Sequence, residues 1–124
     1  MGQRAIQEGD GWRIGWDDGA PIYQGLLAGA DWAIELTADE FQSFCRLAQQ
    51  LAQQMQAMAD LLMDEECLTC DAESDQVWVE ASGYSHQFAL RVMVQSGRRC
   101  EGAWSETATR HLLWAMETLL TQPF

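Results

Sequence analysis

The chain has 124 residues, 48% of them hydrophobic and six of them Trp, which suits one domain, residues 1–124, with a core of its own and excludes a disordered chain. Its charge is lopsided: nineteen carboxylates stand against seven basic residues, all of them Arg, for a formal net charge of -12. Such a surface repels polyanions at range and excludes capture of DNA, RNA or anionic lipid through a general field.

The opening MGQRAIQEGD has no apolar stretch of the secretory kind, and no run approaches the length of a membrane span. A cytoplasmic protein with no membrane partner is therefore expected. GWRIGW (11–16) alternates, with Trp12, Ile14 and Trp16 on one side, and predicts a strand. Asp17 to Pro21 supply turn chemistry. IYQGLLA (22–28) and DWAIEL (31–36) read as the next two strands, separated at Gly29-Ala30.

The period then changes. Thr37 and Glu40 fit a capping box, and Phe41, Phe44, Ala48, Leu51, Met55, Met58 and Leu62 form one apolar stripe. The pattern predicts a long helix over about 38–64. At 1.5 Å per residue it would be roughly 40 Å long, against a body of about 35 Å. Its overhanging stripe calls for a partner, and self-association, as a homodimer, is the expectation it motivates. Its other face is rich in Gln (Gln42, Gln49, Gln53, Gln56). Asp64-Glu65-Glu66 closes it with negative charge at the unfavourable end of the helix dipole.

Strands return at CLTCDAE (67–73), QVWVEA (76–81), HQFALRVMV (86–94) and RCEGAW (99–104). Ser105 caps a C-terminal helix over about 106–121. The order is βββα-ββββα and the class α+β, with curved antiparallel sheets packed on helices. The halves echo each other: Gly29 lies eight residues before the cap Thr37, and Gly97 eight before the cap Ser105.

No residue set spells a catalytic, metal or cofactor motif. Cys67-Leu68-Thr69-Cys70 is a lone C-x-x-C in a strand, where alternation sends the two thiols to opposite faces. His86 and His111 have no nucleophile or orienting group placed by spacing. The expectation is a protein that is not an enzyme and takes no cofactor.

GWRIGW, YQGLLAGADWAIELTADEFQSFCRL, LMDEE, and GYSHQFALR followed by GRRCEGAW resemble a short uncharacterised family of cyanobacteria and plastid-bearing organisms, domain of unknown function 1818. The resemblance covers nearly the whole chain. It implies a fold similar to Whirly-type and coactivator-type single-stranded-DNA-binding regulators, with a cystatin-like sheet around one helix as the second choice. It also raises single-strand binding as a function, for which Arg13, Arg91, Arg98, Arg99 and Trp78 are the candidate contacts. The faces opposite the core stripes argue against it. They pool Arg13, Arg91 and Arg99 with Asp31, Glu35, Asp71, Glu73, Glu80 and Glu101. Arg98 and Arg99 themselves read as solvated residues of a hairpin turn. The preferred reading is a small interaction or regulatory module that self-associates or meets a protein partner. Single-stranded nucleic-acid binding is the alternative. A Trp-lined pocket for a small ligand comes third.

Overall fold

A computed structural model of the chain describes residues 4–60 and 66–120. Four strands come first: β1 (Arg4–Gly9), β2 (Trp12–Asp17), β3 (Gly25–Gly29) and β4 (Ala33–Leu36), an antiparallel sheet in chain order. Helix α1 (Ala38–Ala57) follows, continued by a 3-10 turn, Met58–Asp60. The second sheet, again antiparallel and in chain order, is β5 (Leu68–Glu73), β6 (Val77–Tyr84), β7 (Gln87–Val94) and β8 (Cys100–Trp104). Helix α2 (Glu106–Leu120) closes the described chain. The class is the α+β of two antiparallel sheets and two helices. One strand, β1, precedes those the alternation had marked, so each half is four strands and a helix.

The caps that begin the helices are those the sequence announces. The Thr37 hydroxyl accepts from the Glu40 N–H at 3.2 Å, and the Glu40 carboxylate accepts from the Thr37 N–H at 2.9 Å. The Ser105 hydroxyl accepts from the Ala108 N–H at 3.1 Å. These bonds satisfy donors that a helix start leaves without intrahelical partners.

The extent of α1 needs correction. Its α-helical part ends at Ala57, and twenty residues at 1.5 Å give about 30 Å, not 40. Leu51 and Met55 are fully buried, but Gln56 and Ala57 are exposed and Met58 is half-buried. The residues just past Met55 bury little, and packing rather than propensity sustains most helices. The overhang that motivated self-association through this helix is therefore absent among the described residues. The stripe's last member, Leu62, and Asp64-Glu65 lie outside them.

One apolar core runs through both halves. From the first come Ile14, Leu27, Leu36, Phe44 and Leu51, and from the second Val79, Leu90, Val92, Leu112 and Met116. The helices do not simply cover their own sheets. α1 follows the first sheet but lies mainly against β5 and β6, while α2 lies against β7 and reaches across to β1 and β2. The sheets meet where β8 comes against β3 and β4. Two indoles tie this seam in opposite directions. Trp104 Nε1 donates to the Ala28 carbonyl at 2.8 Å, and Trp32 Nε1 donates to the Ala103 carbonyl at 3.0 Å. The two rings meet edge to face at 4.9 Å. Trp32 lies flat over Gly102, where a Cβ would sit 2.5 Å from three of its ring carbons.

Candidate functional site

Alternation along the second sheet turns Val77, Val79, Ala81, Leu90, Val92 and Val94 inward and buries them. Their neighbours face solvent, and the strand register lines them up in rows. One row is Asp71, Glu80, Arg91 and Ala103; the next is Glu73, Trp78, Met93 and Glu101. Four carboxylates and one guanidinium thus surround a half-buried indole on a single face. Trp78 Nε1 donates to Asp71 Oδ2 at 2.9 Å. The Arg91 guanidinium lies 5.9 Å from the Trp78 ring centre and 3.5 Å from Glu101 Oε2. Arg91 is therefore committed twice, leaving Asp71, Glu73 and Glu80 uncompensated by any ion pair among the described residues. A face of this kind attracts cations and offers an indole for them to lie against.

The other candidates fall elsewhere. Arg13 is on the outer face of the first sheet, 2.6 Å from Glu8 Oε2. Glu35 shares that sheet, and Asp31 lies in the turn before β4. The basic set therefore does not converge: Arg13 and Arg91 are on different sheets, and Arg98 and Arg99 are in the turn between β7 and β8.

Those last two neighbours have different fates. Arg99 is the exposed turn residue the sequence suggests, held at φ +43°. Arg98 turns back onto the first half. Its Nη1 donates to the Glu35 carbonyl at 2.7 Å, its Nη2 pairs with Glu40 Oε1, and its guanidinium lies 4.8 Å from the Tyr23 ring centre. Glu40 is 3% exposed, and its second oxygen accepts from the Ser96 hydroxyl. Burial alone would raise the Glu40 pKa. The bonds from Ser96 and Thr37 and the Arg98 charge outweigh it, so the carboxyl titrates below its ordinary value of 4.5. Arg98 is an internal clamp. Sequence reasoning saw Glu40 as half of a capping box and missed that its carboxylate has a second side to satisfy.

Thiols and imidazoles stay apart. Cys67 is exposed, Cys70 and Cys100 are half-buried, and Cys45 is buried, its thiol pushed up to about 12 by desolvation. Among the described residues no three His, Cys, Asp or Glu side chains converge as a metal site. No helix among them is long and apolar enough to cross a membrane.

Comparison with known proteins agrees with this fold and leaves the chemistry of the face open. No curated protein matches the chain. A solved structure, that of a protein with unknown function from the DUF155 family of Prochlorococcus sp. NATL2A, superposes with a TM-score of 0.87 at 26% identity, covering 94% of this chain and 98% of that one. The family model "Domain of unknown function (DUF1818)" matches residues 7–119. Taken over that span, which runs from within β1 to the last turn of α2, the chain belongs to the DUF1818 family.

Proposed function

We propose that the protein is a non-enzymatic interaction module whose acidic sheet face docks an Arg- or Lys-rich segment of a partner protein. The observation that carries this reading is the outer face of β5–β8, where Asp71, Glu73, Glu80 and Glu101 ring Trp78 and one Arg answers them. A cationic side chain laid on the indole would gain from the ring quadrupole and from the surrounding carboxylates together. Trp is also among the residue types enriched at the anchoring positions of interfaces.

Charge separates this reading from single-strand binding. Trp78 and Arg91 are the pair such a function would use, but phosphate there would meet four carboxylates. The salt-dependent attraction that supplies most of that affinity is missing. Anisotropy of labelled probes tests the choice at 0.15 M salt, with an Arg-rich peptide, its Glu-substituted counterpart and an oligothymidine. The Arg-rich peptide is expected to bind alone, and Glu73→Lys with Glu80→Lys to weaken it about tenfold or more, since tenfold corresponds to about 1.4 kcal/mol. Preferential binding of the oligothymidine would overturn the proposal.

A further inference from the structure

Trp114 is 66% exposed, the largest exposure of any large apolar side chain among the described residues. It stands on the outer face of α2 beside the half-buried Leu113. Arg110 and Glu117 flank the pair, seven residues apart, which is two helical turns and so one stripe. Both are exposed, and neither makes an ion pair among the described residues.

This stripe matches itself reversed. A two-fold axis crossing α2 between Leu113 and Trp114 sets Arg110 opposite the partner's Glu117. The same operation sets Trp114 opposite the partner's Leu113, and each contact is made twice. Self-complementarity of this kind is what a two-fold interface requires. The adjoining surface fits as well. A cleft of about 220 Å³ between the helices joins Leu113 and Glu117 to Gln49, Gln53 and Gln56 of α1, which carry no charge. In a chain of net charge -12, this face, where Arg110 stands between Glu106 and Glu117, is less negative than the acidic sheet, and two copies meet on it with less repulsion.

We infer that α2 is a homodimer face; it packs on the inner side of β7, away from the acidic outer face, and is independent of it. The occupant is a second copy of this chain, antiparallel across α2. The patch is only about 22 Å long, the length of α2, so the dimer is a weak, reversible one of the small-interface kind.

Sedimentation velocity from 5 to 200 μM, read beside circular dichroism, tests it. The wild-type chain is expected to shift from monomer to dimer over that range. Trp114→Glu should hold it as monomer, and so should Arg110→Glu or Glu117→Arg alone, each of which sets like charges face to face. Arg110→Glu combined with Glu117→Arg keeps the wild-type net charge and should restore the dimer to within about threefold of the wild-type Kd. Monomer throughout for the wild-type chain would overturn the inference. So would a dimer indifferent to Trp114→Glu, or one the double exchange does not recover.

Discussion

Arg98→Ala removes the one cation that answers a buried carboxylate. The Glu40 side chain is 5% exposed and that of Arg98 34%. A fully buried pair broken on one side costs about 3–5 kcal/mol. Here water can reach the arginine's place, and the Thr37 N–H and the Ser96 hydroxyl still hold Glu40. Discounting for that access leaves about 2 kcal/mol, near the value of one charge-assisted hydrogen bond. With a urea slope of about 2 kcal/mol/M, the midpoint should fall by about 1 M. Tryptophan emission reports it, because Trp32 and Trp104 sit on the seam that Arg98 helps to close. The pair also sets a pH dependence. Glu40 titrates below 4.5 when folded, so its contribution is complete above that pH and is lost as the pH falls below it. Arg98→Ala should raise the Glu40 pKa and move the onset of acid unfolding upward. A midpoint change under about 0.2 M, or a Glu40→Gln, Arg98→Ala double-mutant cycle with no coupling, would refute the clamp.

Three more outcomes follow from single residues. Gly102→Val should destabilise by about 1–3 kcal/mol in urea, because the added atoms fall on the Trp32 ring, and the emission of Trp32 should shift as its bond to Ala103 is lost. Arg99→Gly should raise stability by about 1 kcal/mol in the same titration, since φ +43° is a conformation that glycine adopts without steric penalty. At pH 8 the exposed Cys67 should react with a thiol reagent at once, while Cys45, pushed up to about 12 and buried, should react only on unfolding, as counted by mass spectrometry.

The helix starts were legible because capping is local chemistry: Thr37, Glu40 and Ser105 act within one turn. The strands read from alternation lie where alternation is backed by burial, as in Val77–Tyr84 and Gln87–Val94. β1 was missed because RAIQEG pairs along an edge with Ala5 and Gln7 as its inward residues, too small and too polar to show a stripe. β6 runs further than read because Ser82-Gly83 looks like a turn but stays in the ladder, opposite Ala89 and Phe88. The Arg98–Glu40 contact joins residues 58 positions apart. No periodicity carries such information, and neither does the choice of sheet against which α1 lies. The acidic face was legible in part: alternation put Arg91, Asp71, Glu73, Glu80 and Glu101 on outward faces, and register gathers them around Trp78 and sets them apart from Arg13 and Glu35 of the first sheet.

The exchange of helices across the seam makes each half a hostage to the other. Residues 4–60 alone would have four strands whose own helix was shaped for a different sheet. Residues 66–120 would lack the rod that shields β5 and β6. Two fragments divided there should each be largely unstructured in isolation yet regain the native spectrum on mixing, so that a protein built from two look-alike parts melts as a single cooperative unit.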